Sequence, residues 1–106
     1  MFGRQVTLKL KTNSATELNR ISADEILPIL RKQKGFRDET TFIAPERSEA
    51  VVNSFWDTKA DAEAYGHTAY AEVLKTLSNV IDGTPIVKNF EFASSTLQQA
   101  ATSKLV

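Results

Sequence analysis

A chain of 106 residues is one domain's worth, long enough to bury an apolar core. Thirteen Lys and Arg balance thirteen Asp and Glu, which argues against a nucleic-acid surface, an acidic tail or a polybasic membrane anchor, since each needs an excess of one sign. There is no cysteine, so disulfides, thiolate nucleophiles, Cys-based zinc sites and iron–sulfur clusters fall away.

Val6-Thr7-Leu8-Lys9-Leu10-Lys11 alternates apolar and polar residues, the pattern of a half-buried strand. Ser14-Ala15-Thr16-Glu17 reads as a capping box, with Ser14 and Glu17 each satisfying the other's backbone N–H. The helix it opens carries Leu18, Ile21, Ile26, Ile29 and Leu30 on one broad face. Pro28 lies inside and costs roughly 3 kcal/mol in a helix interior, so a kink or restart is expected there. Lys32, Lys34 and Gly35 end it, cations near the negative dipole end and then a left-handed cap. Residues 36–44 and 50–56 form two strands joined by the turn at Pro45-Glu46-Arg47-Ser48, a hairpin. Thr58 caps the next helix, with Asp61 three residues on. Gly66 interrupts it, and a second stretch resumes near Thr68 with the apolar stripe Tyr70, Val73, Leu74, Leu77, Val80 and Ile81. Asp82-Gly83-Thr84-Pro85 ends that stretch, and residues 86–92 form the fourth strand. Residues 94–106 are small and polar, a tail or a short helix near Leu97 to Ala101.

The order strand, helix, strand, strand, helix, strand predicts an α+β protein of the ferredoxin-like split β-α-β type. Its four-stranded antiparallel sheet would carry two helices on one face, as a single domain over residues 1–93. The other face must meet water, a ligand or a partner. Strand three is apolar on both sides, through Val51 and Phe55 on one and Val52 and Trp56 on the other, whereas Thr7, Lys9 and Lys11 make one side of strand one polar. A mixed face of this kind suits a homodimer packed sheet against sheet, or a pocket with polar fittings.

The run Leu27-Pro28-Ile29-Leu30-Arg31-Lys32-Gln33-Lys34-Gly35-Phe36 is followed by the hairpin and then by Phe55-Trp56-Asp57-Thr58-Lys59-Ala60-Asp61-Ala62-Glu63-Ala64-Tyr65. This pattern resembles the antibiotic biosynthesis monooxygenase-like domains, over roughly Val6 to Glu91. The Gly-Phe opening strand two and the Trp-Asp-Thr closing strand three are the landmarks. The resemblance implies a dimeric α/β barrel with a ligand cavity in each subunit between sheet and helices. It also implies, for some members, oxidation of polyphenolic or quinol substrates by molecular oxygen with no cofactor. Other members degrade haem, with an Asn early in strand one, a Trp on the second helix and a His about three turns later. Here Tyr65 takes the Trp position, the His position falls near Leu74 or Lys75, and strand one has no Asn before Asn13, so haem degradation is not expected.

His67 is the only histidine and could serve as a general base on a phenolic proton; the plainer alternative is a histidine at a helix junction satisfied by backbone or water. With no second imidazole and no thiol, no metal site is expected. Asn53 interrupts an apolar strand, where an amide must find hydrogen bonds. It is paired with His67 as the candidate catalytic set. Trp56, Tyr65 and Tyr70 are the candidate binding residues for a small aromatic ligand, with core or interface filling as the alternative for Trp56 and core for Tyr70. One parity of strand three faces the helices, so Asn53 and Trp56 are not expected in one cavity. Two functions remain: a cofactor-free monooxygenase acting on a small aromatic or quinol, or a non-catalytic dimeric module that binds a small molecule or assembles. No segment approaches the roughly 20 apolar residues of a membrane span, and Met1–Gln5 lacks the form of a signal peptide, so a cytoplasmic protein is expected.

Overall fold

From Phe2 to Leu10 every second side chain is buried, and these residues form β1 (Phe2–Leu10), which begins four residues earlier than the alternation from Val6 predicts. Phe2, Arg4, Val6, Leu8 and Leu10 share its buried face. The computed structural model describes residues 1–44, 46 and 48–93, so the predicted tail and two of the four residues of the hairpin turn lie outside the described residues.

The first helical path has three parts: α1 (Ala15–Ile21), a π-helical turn (Ser22–Ile26) and α2 (Leu27–Arg31). The capping box does not form. Ser14 makes no side-chain cap bond, and the Glu17 carboxylate is taken by Arg20, which donates to it through Nε at 2.7 Å. Pro28 falls in the first turn of α2, and the turn before it widens so that the Leu27 N–H donates to the Ser22 carbonyl. A wide turn of this kind is a recognised way for a helix to absorb a proline, and such turns cluster at functional sites. Gly35 then turns the chain at φ 79° into β2 (Phe36–Ala44).

β3 (Glu49–Trp56) returns antiparallel to β2. α3 (Lys59–His67) is capped by Thr58, whose hydroxyl accepts from the Asp61 N–H at 3.1 Å. It runs through Gly66 and breaks two residues later, where Thr68 has φ −127° and ψ −93°. α4 (Tyr70–Leu77) follows, then β4 (Ile81–Glu91). The predicted helical stripe thus ends at Leu77, and Ile81 is buried as a strand residue paired with Leu10. The ladder between β1 and β4 shifts register between Thr7 and Lys9, opposite Gly83, Thr84 and Pro85; a proline, having no N–H to give, belongs at such an irregularity on an edge strand.

The sheet has the order β2-β3-β1-β4 with every pair antiparallel, the ferredoxin-like arrangement, and the helices cover one face. Leu8, Leu18 and Trp56 lie at the centre of one core that draws on every helix and every strand, β2 contributing the half-buried Phe36 and Ile43. No helix among the described residues is long and apolar enough to cross a membrane.

Candidate functional site

Three polar residues lie in a row across the buried face of the sheet. Arg4 on β1 pairs with Ser54 on β3, and Ser54 pairs with Glu39 on β2. Adjacent strands are about 4.8 Å apart, so the backbones of Arg4 and Glu39 stand roughly 10 Å apart with Ser54 between. Ser54 is occupied, accepting the Trp56 indole N–H at 2.9 Å. Arg4 is 9% exposed, and its Nε is buried without a hydrogen-bond partner. Glu39 accepts from the Thr41 hydroxyl on one oxygen at 3.1 Å, while its Oε2 is buried and unpartnered. Neither has an ion-pair partner among the described residues.

Aromatic rings build the wall above this row. Phe36 meets Trp56 edge-on at 5.6 Å, Trp56 stacks on Tyr65 at 4.9 Å, and Tyr65 meets Tyr70 edge-on at 5.9 Å. The Arg4 guanidinium lies 4.4 Å from the Tyr70 ring centroid and 5.7 Å from that of Tyr65, a cation held over the negative faces of two rings. Gly66 leaves room for it. A Cβ at that position would stand 3.0 Å from Arg4 Nη1, so a larger residue in place of this glycine would make the guanidinium shift.

These groups enclose a cavity of about 30 Å³ between sheet and helices. Arg4, Glu39 and Ser54 form its polar end, Ser22 and Ile26 of the π-helical turn border it, and Tyr65 and Tyr70 wall it. It has room for about two water molecules. Burial shapes its acid–base chemistry. Burial pushes the Glu39 carboxyl above its ordinary 4.5; the Thr41 hydrogen bond opposes this, and neighbouring Asp38 adds to it. Burial also raises the phenols of Tyr65 and Tyr70, against the pull of the Arg4 charge, so both stay neutral.

Of the residues singled out from sequence, Tyr65 and Tyr70 line this cavity. Trp56 faces the same side of the sheet but is wholly buried behind Tyr65, a core residue. Asn53 is on the opposite face, because it lies one residue from Val52 and Ser54 on a strand of period two. There it accepts from Gln5 Nε2 at 3.2 Å and borders a separate depression of about 80 Å³ with Gly3, Phe55, Phe90 and Phe92. His67 is exposed at the end of α3, off the buried stripe of Ala62 and Tyr65, and does not line the cavity. The structure thus sets Asn53 and His67 apart. Arg4 and Glu39 went unmarked in the sequence; the signal that could have found Arg4 is a charge at a buried parity of an otherwise alternating strand. Among the described residues no cluster of three or more His, Asp and Glu side chains is placed to hold a metal ion.

The open face of the sheet carries Phe42, Ile86 and Phe90, which are 64%, 61% and 49% exposed. Gln5, Thr7, Lys9 and Lys88 lie among them.

No protein-family model matches the chain, and no curated protein matches it. Solved structures do. A monooxygenase from the gene ActVA-Orf6 of Streptomyces coelicolor, in complex with nanaomycin D, superposes with a TM-score of 0.75 at 17% identity, over 89% of this chain and 88% of that one. SnoaB, a cofactor-independent oxygenase from Streptomyces nogalater, gives 0.71 at 12% identity over 90% and 95%. A protein of unknown function from Nitrosomonas europaea gives 0.72 at 16% identity over 90% and 91%. The fold of this chain is that of the antibiotic biosynthesis monooxygenase-like proteins.

Proposed function

We propose that the chain is a cofactor-independent monooxygenase that oxidises a small phenolic or quinol aromatic in the cavity between sheet and helices, working as a homodimer joined through its open sheet face. The buried Arg4 guanidinium, held against two tyrosine rings at the polar end of an aromatic-walled cavity, carries this reading. In such a reaction a phenol with a free C–H is converted to a quinone while the second oxygen atom leaves as water. All four electrons come from the substrate. The protein's part is to orient the substrate, exclude water and favour the ionised form that oxygen can oxidise. The rings of Tyr65 and Tyr70 supply flat apolar walls, and Arg4 supplies the positive charge.

Oxygen uptake measured against a panel of quinols, naphthols and anthrones tests this directly. Uptake is expected with at least one of them, lowered 100-fold or more by Arg4→Met and left within a few-fold by His67→Ala and Asn53→Ala, whose side chains lie outside the cavity. The small volume of the cavity favours the second reading, a non-catalytic dimeric module. Binding of these aromatics with no uptake of oxygen by any of them would establish that reading instead.

A further inference from the structure

We infer that the open sheet face selects a second copy of this chain by charge and in one register: Asp38 at the β2 edge of each copy pairs with the partner's Lys88 at the β4 edge, and Gly3 is the point of close approach. This deepens the proposed function, since it rests on the open face joining two copies. Gly3 stands inside β1, between its ladder partners Phe55 on β3 and Phe90 on β4. A glycine inside a strand weakens it and often marks a place where something else comes close to the backbone. Nothing in the chain itself requires one here. Among the described residues the glycines of positive φ are Gly35 and Gly83, not Gly3. A Cβ on Gly3 would meet the Phe90 carbonyl oxygen at 3.7 Å and the Phe55 ring at 3.8 Å, both ordinary contacts. The missing side chain leaves the depression of about 80 Å³ walled by Phe55, Phe90 and Phe92 on the uncovered face.

Charge identifies the occupant. At one end of the open face Lys9 lies between Glu49 and Asp82 in the ladders, so opposite charges alternate there within the chain. Asp38 and Lys88 have no such neighbour: Asp38 faces Phe55 across its ladder, and Lys88 faces Gln5. Both are exposed, and neither forms an ion pair among the described residues. The Glu39 N–H donates to Asp38 Oδ1 at 2.8 Å and anchors the carboxylate. The two charges stand at opposite edges of the order β2-β3-β1-β4, so the face carries one negative edge and one positive edge and complements itself. A twofold axis along the strands, over the midline between β3 and β1, lays each β2 over the partner's β4 and brings the unlike edges together twice. An axis across the strands would lay β2 over the partner's β2 and keep the unlike edges apart. The rows of Asp38 and Lys88 are offset by two residues, about 7 Å, which a flexible four-carbon stem can span. The same axis lays β1 over the partner's β3. Gly3 then lies under the partner's Phe55, Gln5 meets the partner's Asn53 amide to amide, and Phe42 covers the partner's Ile86.

Charge reversal tests the register. Asp38→Lys and Lys88→Asp each place two like-charge contacts in a homodimer, and each is expected to weaken association about tenfold or more at low salt, read by sedimentation equilibrium. Mixed in equal amounts, the two variants make both contacts unlike again. Carrying tags of different mass, they are expected to appear in native mass spectrometry almost wholly as the heterodimer, with association back at the wild-type strength. Gly3→Val has room within its own strand and a side chain that favours strands, so it is expected to fold and yet to associate more weakly than the wild type. A wild-type dimer that neither reversal weakens, a statistical mixture of homodimers and heterodimers, or a Gly3→Val dimer as tight as the wild type would overturn the register and leave the open-face dimer standing. A monomeric wild type overturns both. Heterodimers formed as expected, with no oxygen uptake from any quinol, sink the monooxygenase reading and leave this one standing.

Discussion

Between Phe2 and Val6 the buried face of β1 asks for another apolar side chain, and Arg4 stands there instead. Its cation–π contacts return roughly 0.5–2 kcal/mol, less than a buried charge without a counter-ion gives up. Replacing such a charge by a hydrocarbon of similar shape is neutral or stabilising in other proteins. Arg4→Met is therefore expected to raise the stability of the free protein by about 1 kcal/mol, read from chemical denaturation, while removing function. Trp56 stands at the other extreme. It is fully buried, stacked on Tyr65 and bonded through its indole N–H, so Trp56→Ala should cost about 3–5 kcal/mol. Glu39 supplies a pH signature. Its folded-state pKa is raised, so its contribution to stability is full below the ordinary value of 4.5 and is lost as the pH rises through the folded value. Glu39→Gln should accordingly be more stable than the wild type at pH 7, with the advantage shrinking as the pH falls toward 4.5.

At the scale of elements, local chemistry was legible wherever one rule acted alone. The Thr58 cap, the hairpin of β2 and β3 and the left-handed Gly35 all follow from residue type and spacing. Gly35 has a second constraint, since a Cβ there would collide with the Asp61 carboxylate. Gly35→Ala should then cost at least about 1–2 kcal/mol from the positive φ alone, measurable as a lowered denaturation midpoint. Legibility failed where two rules competed. Glu17 could cap α1 or pair with Arg20, and it pairs. Val80 and Ile81 fit the helical period of α4, yet are buried in a turn and a strand, because burial alone does not tell the two apart. The start of β1 was missed because Arg4 breaks the alternation, and that same break is the polar end of the cavity. The candidate site was hidden in the residue that violates the pattern of its strand.

The described residues leave one sheet face uncovered, with Phe42, Ile86 and Phe90 exposed on it. Large apolar side chains exposed on such a face mark an interaction surface, and a twofold contact between copies lets the same face serve both sides. Sedimentation at micromolar concentration should return a dimer, and Phe42→Lys with Phe90→Lys should return a folded monomer; a monomeric wild type would end that account. On the covered face, the cavity holds about two water molecules, far less than an aromatic ring needs. On the proposed function, entry of an aromatic requires the cavity to enlarge, and the break between α3 and α4 at Thr68 is where the two helices can part. On that reading a ligand enters no faster than the cavity opens. In rapid-mixing experiments the observed rate should climb with ligand concentration and then level off at the opening rate, and stiffening the junction at Thr68 should lower that plateau.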